Sequence, residues 1–392
     1  LKSKEIPRLA IITTHPIQYY APVFRLLQQR GAVHPKVFYT WEQAQYPQYD
    51  PGFGKTVEWD IPLLEGYDYI FTRNTARQPG SSHFWGIVNP ELIQQINSWA
   101  PDAILIFGWS YWGHLQVIRY FKGKIPVYFR GDSHLLNEQK GFKQLFRRNW
   151  LKWVYRHVDF AFYVGTNNKA YFEVHGLKEG QLRWAPHAID NLRFQQDYPA
   201  QSQQALAWRR SLGIPNEALV FLFVGKFDAV KNPQLFLDAF LKSGLENAHL
   251  IFVGNGTLEQ EVKERAKENA HIHFLPFQNQ SQMPIIYRLG QVYVLCSKSE
   301  TWGLAVNEAM ACGLPVVVSN KVGCAIDLVV PGENGYIFES GNVSALVEVL
   351  QRIAENYTKS SLDLMGQASL SKINSWSFDV LCDQIEESIL KS

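Results

Sequence analysis

The chain has 392 residues, too many for one ordinary core and enough for two domains of roughly 150–200 residues each. Its 46% hydrophobic and 19% charged composition is that of a globular protein with ample material to bury. A net charge of +2 excludes the global basic field of a nucleic-acid-binding protein, and no run of about 20 apolar residues is present to span a membrane. Cys296, Cys312, Cys324 and Cys382 form no C-x-x-C pair and have no histidine at ligand spacing, which argues against a zinc site or disulfide framework and for a reducing cytoplasm. The opening LKSKEIPRLA carries no apolar core of the secretory kind, so no secretory leader is expected.

In chain order, RLAIITT (Arg8–Thr14) reads as a first strand, and HPIQYYAPVFRLLQQRG continues at helical spacing to Gly31. VHPKVFYT (Val33–Thr40) and DAILIFGWS (Asp102–Ser110) are further strands, the latter followed by a helix through HLQVIRYFKG. PVYFRGDS (Pro126–Ser133), a long basic-aromatic helix and DFAFYVGT (Asp159–Thr166) extend the alternation. QDYPAQSQQALAWRR (Gln196–Arg210) is polar and weakly patterned and is expected to link two domains. The alternation then restarts with strands at Ala218–Gly225, Ala248–Gly254, His271–Phe277, Val292–Ser297, Gly313–Ser319 and Gly335–Ser340, and a helix over Asn232–Gly244. Strands alternating with helices imply parallel sheets covered on both faces, which bind ligands at the carboxyl ends of their strands. A final amphipathic helix, SFDVLCDQIEESILKS, closes the chain and is expected to pack on the first domain.

Three stretches of the second half carry chemistry. FVGKFDAVKNP leaves a strand through Gly225 and sets Lys226 and Lys231 five residues apart; such a loop suits a diphosphate, or is a pair of ordinary surface lysines. FVGNGTLEQEV lacks the third glycine of a dinucleotide fingerprint and reads either as a turn approaching a ligand or as a plain strand-to-helix turn. SETWGLAVNEAMACGLPVV (Ser299–Val317) places Glu300 and Glu308 around a helix start, with Ser299 or Thr301 as its cap. The amides of Trp302, Gly303 and Leu304 form an anion-attracting first turn there. Either glutamate can accept from adjacent sugar hydroxyls, or both are acids stabilised by the helix dipole.

Two glutamates separated by seven residues and followed by A-x-A-C-G-L-P-V-V-V-S resemble the donor-site signature of retaining family 4 glycosyltransferases. V-V-P-G-E-N-G-Y-I-F (Val329–Phe338), the G-K-x-x-x-x-K loop and W-A-P-H-A-I-D (Trp184–Asp190) resemble further segments of that family, in its order over residues 184–340. The resemblance implies an α/β fold of the GT-B kind: two facing Rossmann-like, doubly wound parallel-sheet domains with a C-terminal helix crossing back to the first. The expected boundaries are 1–197 plus 378–392 for the acceptor-side domain and 198–377 for the donor domain. By family position Glu308 holds the ribose hydroxyls, Glu300 the donor sugar, Lys226 and Lys231 the diphosphate, and the Trp302, Gly303 and Leu304 amides the phosphate and sugar. No D-x-D triplet occurs, which fits a transferase that uses lysines and a helix end rather than a metal ion, and no cofactor beyond the nucleotide-sugar.

The first half departs from the pattern. Many relatives carry Gly-Gly in the first loop, where this chain has Ile17 and Gln18 in THPIQYYAP; Gln18 and His15 remain as hydrogen-bond donors there. After PVYF the chain offers Arg130, Asp132 and His134, of which Asp132 and His134 are expected near the anomeric carbon, with Arg130 as a charge partner. KGFKQLFRRNWLKWVYRH (Lys140–His157) is either a sheet-covering helix with a solvated basic face or a helix that lies on anionic lipid. The resemblance thus implies a cytoplasmic enzyme, peripheral at the inner face of the plasma membrane if that helix touches lipid. It would be a retaining, metal-independent transferase moving a hexose, glucose by preference, from a UDP-sugar to a glycan or lipid-linked acceptor in surface polysaccharide synthesis. A UDP-sugar epimerase and a non-catalytic nucleotide-sugar-binding subunit are the alternatives.

Overall fold

The apolar runs become the strands of two separate parallel sheets in the computed structural model of the chain, which describes residues 5–50, 52–138, 141–356 and 358–391. One unit comprises Leu1–Gln48, Ile61–His187 and Phe378–Ser392, the other Tyr49–Asp60 and Ala188–Ser377. The chain opens with β1 (Arg8–Thr13), α1 (Ala21–Arg30) and β2 (His34–Tyr39), then a two-stranded sheet of β3 (Gln48–Asp50) and β4 (Lys55–Val57). β5 (Asp68–Phe71), α2 (Leu92–Trp99), β6 (Ala103–Phe107), α3 (Trp112–Phe121) and β7 (Val127–Arg130) follow. α4 (Phe142–Tyr155), β8 (Phe160–Tyr163), α5 (Thr166–Val174) and β9 (Leu182–Trp184) complete the first sheet.

The second unit runs through α6 (Asn191–Gln195), α7 (Tyr198–Ser211), β10 (Leu219–Val224), α8 (Pro233–Ser243), β11 (Ala248–Val253) and α9 (Glu259–Ala266). β12 (Ile272–Leu275), α10 (Met283–Tyr287), β13 (Val292–Leu295), α11 (Leu304–Ala311) and β14 (Val316–Ser319) come next. α12 (Ala325–Leu328), β15 (Gly335–Phe338), α13 (Val343–Glu355) and α14 (Lys359–Ile373) end it, and α15 (Phe378–Leu390) returns to the first unit.

The first sheet has the order β5-β2-β1-β6-β7-β8-β9 and the second β12-β11-β10-β13-β14-β15, with parallel neighbours throughout. In both, the order reverses beside the first strand, between β1 and β6 and between β10 and β13. Loops diverging to opposite faces open a crevice at such a point, at the carboxyl ends of the strands. Strands covered on both faces must be apolar along their length, which is why Leu9–Ile12 and Leu219–Phe223 are buried without interruption. Phe236 of α8 packs edge-on against Phe252 of β11, and Phe240 against Phe221 of β10; each such burial contributes about 1.5–3 kcal/mol.

Sequence patterning does not single out β5, β9 or the β3–β4 pair. β5 is a four-residue edge strand whose first two residues are exposed, so no apolar run marks it. The stretch expected as a link instead forms α7, because Arg209 buries its guanidinium on the carbonyls of Pro215, Asn216 and Ala218 and fastens the helix to the start of β10. α15 packs on the first unit as the resemblance implies: Arg30 of α1 pairs with Asp379, Asp383 and Glu386, and the Tyr128 hydroxyl donates to the Ser388 carbonyl at 2.8 Å. In α4 only the carboxyl half, with Leu151, Val154 and Tyr155, joins the core. Lys140, at the head of the basic-aromatic stretch, lies outside the described residues. All four cysteines are buried free thiols, and among the described residues no helix is long and apolar enough to cross a membrane.

Candidate active site

At the switch point of the second sheet the chain leaves β10 through Gly225, whose amide donates to the Val253 carbonyl at 3.0 Å. The neighbouring G-N-G turn packs directly on this loop. A Cβ on Gly254 (φ +138°) would stand 2.0 Å from the Gly225 carbonyl oxygen, and one on Gly256 (φ +158°) 2.6 Å from that of Phe227. These two glycines therefore serve the approach of one backbone to another, and Phe227 N–H···O=C Asn255 at 2.9 Å closes it. The Asp228 carboxylate then accepts from the amides of Val230 and Lys231, folding the loop so that Lys231 turns inward.

Each lysine of this loop faces a carboxylate. Lys231 Nζ pairs with Glu300 Oε2, which also accepts from the Ser297 hydroxyl at 3.3 Å. Lys226 Nζ lies 2.9 and 3.0 Å from the two oxygens of Asp50, on the β3–β4 segment, and 4.7 Å from the centre of the Phe53 ring. Asp50 Oδ1 further accepts from the Gly52 and Phe53 amides. Burial draws the Asp50 carboxyl upward, but Lys226 and these two amides outweigh it and hold the group below the usual carboxylate range. The same segment is fastened to the end of β12: Phe53 lies edge-on to Phe277, Lys55 stands 3.8 Å over that ring, and Asn279 donates to the Glu58 carbonyl at 2.7 Å.

Beyond β13, Glu300 bridges in parallel to Val322, and Gly323 N–H donates to the Glu300 carbonyl at 3.0 Å. A Cβ on Gly323 would meet the Thr301 carbonyl oxygen at 1.9 Å. That pairing, rather than a side-chain cap, positions the start of α11. Gly303 at φ +104° is the cap residue, and neither Ser299 nor Thr301 takes the capping role expected of it. Leu304 opens the helix, whose first turn is closed by the Val306 amide donating to the Gly303 carbonyl at 2.8 Å. Trp302 is buried and anchors the turn through its indole N–H to Asn307 Oδ1 at 2.9 Å. Glu308, only 3% exposed, accepts a 2.7 Å bond from the Tyr287 hydroxyl of α10. The second unit thus brings Gly225, Lys226, Lys231, Glu300, Trp302, Gly303, Leu304 and Glu308 to the loops after β10 and β13 and the helix behind them.

In the first unit Gln18 sits in the turn between β1 and α1, where the Tyr20 and Ala21 amides both donate to the Ile17 carbonyl at 2.9 Å. His15 bonds Thr14 Oγ1 at 2.8 Å and meets Trp41 edge-on; burial lowers its pKa to about 4. Arg130, at the end of β7, is buried and donates to the carbonyls of Ala185 and Pro186 at 2.8 and 2.9 Å. Desolvation lowers its pKa to about 10, against the favourable influence of Tyr20 and Asp132. Arg130 thus organises the chain at 185–187 as well as facing Asp132. His134 accepts from the Leu136 amide at 3.2 Å.

Sequence reasoning did not single out His187 or Tyr20 as a pair. His187 Nε2 lies 4.0 Å from Asp132 Oδ2, and its ring stacks with Tyr20 at 6.2 Å. Burial, then Arg130, lowers the His187 pKa to about 3, so the imidazole is neutral. Burial and then Asp132 raise that of the Tyr20 phenol. W-A-P-H and the two tyrosines of QYYAP were the visible signal; their mutual approach was not. Asp50 and Tyr287 were likewise unmarked. Among the described residues no three histidine, cysteine or carboxylate groups converge as a metal site would require.

Several known proteins are similar to this chain. The sulfoquinovosyl transferase SQD2 of Arabidopsis thaliana is 25% identical over 291 residues, covering 72% of this chain and 55% of its own length. The chain therefore spans about half the length of that curated relative. Among solved structures, sucrose-phosphate synthase from Thermosynechococcus elongatus aligns over 98% of both chains at 18% identity with a TM-score of 0.72. Anabaena Alr3699/HepE, solved in complex with UDP and glucose, aligns over 98% of this chain and all of its own at 16% identity with a TM-score of 0.71. Residues 205–369 match the family model of the glycosyl transferases group 1, and the chain accordingly carries a glycosyltransferase group 1 domain within a GT-B fold.

Proposed function

We propose that the protein is a retaining, metal-independent hexosyltransferase that moves glucose from UDP-glucose to a glycan or lipid-linked acceptor in surface polysaccharide synthesis. The observation that carries this reading is the grouping of Lys231, Glu300 and the Tyr287-held Glu308 at the switch point of the second sheet, beside Lys226. Two cations and a helix amino end are what a departing nucleoside diphosphate needs, since negative charge builds on it as the sugar C1–O bond breaks. Glu308, buried and oriented by Tyr287, offers its carboxylate to a ribose diol, and Glu300 offers its own to the sugar hydroxyls. Glu300 is a positioning carboxylate here: its partner Lys231 holds it in place, and the acceptor hydroxyl attacks from the face the diphosphate leaves. In the first unit Asp132 and His134 are the candidates for acid–base work, with the neutral His187 4.0 Å from Asp132. The solved complexes of HepE with UDP and glucose support a UDP-sugar as donor.

A lipid-linked acceptor is supported by α4. Phe142, Leu145, Phe146 and Trp150 are exposed at i, i+3, i+4 and i+8, and the helix carries Lys143, Arg147, Arg148 and Lys152 with no acidic residue. Such a face suits peripheral contact with anionic lipid.

A thermal-shift screen of UDP-, ADP- and GDP-glucose on the wild type and Glu308→Ala tests the donor. UDP-glucose is expected to stabilise the wild type and not the variant, and the donor assignment fails if no nucleotide-sugar does so. Incubating UDP-glucose without acceptor separates the reading from an epimerase, which would yield a new sugar epimer. With a transferred sugar in hand, proton NMR of the anomeric centre reads retention directly.

A further inference from the structure

Trp85, in the loop between β5 and α2, is 59% exposed although its backbone is firmly held. Asn74, itself buried, donates to the Gly86 carbonyl at 2.9 Å and accepts from the Ala76 and Val88 amides. Thr75 and Val88 are bonded across the loop, as are Gly80 and Gly86. A Cβ on Gly86 would stand 2.0 Å from the Gly80 carbonyl oxygen, so that closure requires glycine. The Tyr111 hydroxyl reaches in to the Ser81 carbonyl at 3.0 Å. The backbone that carries Trp85 is thus tied on both sides of the residue, while its indole stays 59% exposed.

The indole is also backed on one side. Trp112, the first residue of α3, lies 5.1 Å from Trp85 at an interplanar angle of 31°, and Phe84 meets both rings edge-on. In front of it opens a cleft of about 500 Å³ lined by Thr75, Arg77, Gln78, His83 and Trp85 among others. His83 is oriented by its 3.0 Å contact with the Gln78 carbonyl. One rigid aromatic face ringed by hydroxyl, guanidinium, amide and imidazole groups differs from the continuous apolar groove that a helix or acyl chain would need. It matches a pyranose, which presents an apolar C–H face to a ring and its hydroxyls to the rim. The loop follows the carboxyl end of β5, and Trp112 follows that of β6. Asn89, buried, ties them to the end of β2 by donating to the carbonyls of Thr40, Thr72 and Arg73.

We infer that Trp85, backed by Trp112, is a stacking subsite for one pyranose ring of the acceptor glycan, with Arg77, Gln78 and His83 addressing its hydroxyls. The assignment of that sugar to an acceptor rests on the transferase reading; the sugar site itself does not.

The test uses the full chain with methyl β-D-glucopyranoside, methyl β-D-galactopyranoside and methyl α-D-mannopyranoside, read by saturation-transfer NMR. At least one glycoside is expected to receive saturation at its ring C–H protons, saturably, from the wild type. Trp85→Ala is expected to weaken that binding about five- to tenfold, the scale of a lost aromatic contact, while Trp85→Phe retains most of it and reports that the loop still folds. UDP affinity is expected to be equal in all three proteins. No transfer to any of the three glycosides in the wild type overturns the inference, as does full binding by Trp85→Ala. A wild type that binds a glycoside through Trp85 but no UDP sinks the transferase reading and leaves the sugar site standing.

Discussion

Replacing Asp50 by asparagine removes one charge and almost nothing else. The Oδ1 that accepts from Gly52 at 2.8 Å and Phe53 at 3.2 Å is kept, so the segment stays folded on the second unit, but Lys226 loses its counter-ion. A diphosphate that needs Lys226 must compete with Asp50 for it. At about 3 Å and an effective dielectric of about 20 the gross attraction is roughly 5 kcal/mol. Both side chains are about one-third exposed, at 32% and 33%, so desolvation and screening reduce the net value to ~1 kcal/mol. UDP is therefore expected to bind Asp50→Asn about fivefold more tightly than the wild type at low salt. The advantage should shrink toward unity at about 0.5 M salt, where the screening length is only a few ångströms. Titration calorimetry with UDP on the wild type, Asp50→Asn, Lys226→Ala and the double variant reads this. Lys226→Ala is expected to weaken binding, and the double variant to match it, since without the lysine the carboxylate has nothing to withhold. Unchanged or weaker UDP binding by Asp50→Asn at low salt, with Lys226→Ala impaired, would refute the competition. It would make Asp50 a support that aims the lysine.

Three other outcomes are expected. His249 stacks with His271 and His273 on the β11–β12 surface near Arg209, and burial followed by these neighbours lowers its pKa to about 4. A histidine depressed in the folded state binds fewer protons there than when unfolded. Stability should therefore be full above pH about 6.5 and fall as pH drops toward 4; His249→Gln should flatten that slope in a pH series of melting temperatures. Tyr287→Phe leaves the buried Glu308 carboxylate without its 2.7 Å donor and should cost about 1.5–3 kcal/mol of stability by urea titration, with weaker UDP binding; an unchanged midpoint would contradict the role given to that bond. Gly254→Ala sets a Cβ 2.0 Å from the Gly225 carbonyl oxygen at φ +138° and should destabilise the fold by ~3 kcal/mol or more, read as a larger drop in melting temperature than any surface substitution gives.

How far the site was legible in the sequence follows from the distance over which each part is specified. Lys226 and Lys231 are set by a single turn, and Glu300 and Glu308 by one strand-to-helix passage, so spacing along the chain carried their placement and the strand alternation carried the sheet beneath them. The cap of α11 went wrong on a longer range. Ser299 and Thr301 have suitable hydroxyls, but Glu300 between them is bridged to Val322, and that pairing hands the cap to Gly303. The glycines of the G-N-G turn were visible as a demand for close approach, while what approaches, the backbone of Gly225 and Phe227, lies some 30 residues upstream. Asp50 is the extreme case. It stands 176 residues before Lys226, in a stretch with no apolar rhythm, and nothing local distinguishes it from any loop aspartate. Yet it faces one of the two lysines the donor reading needs, so on that reading the affinity of the site would depend on two distant segments and not on the motif alone.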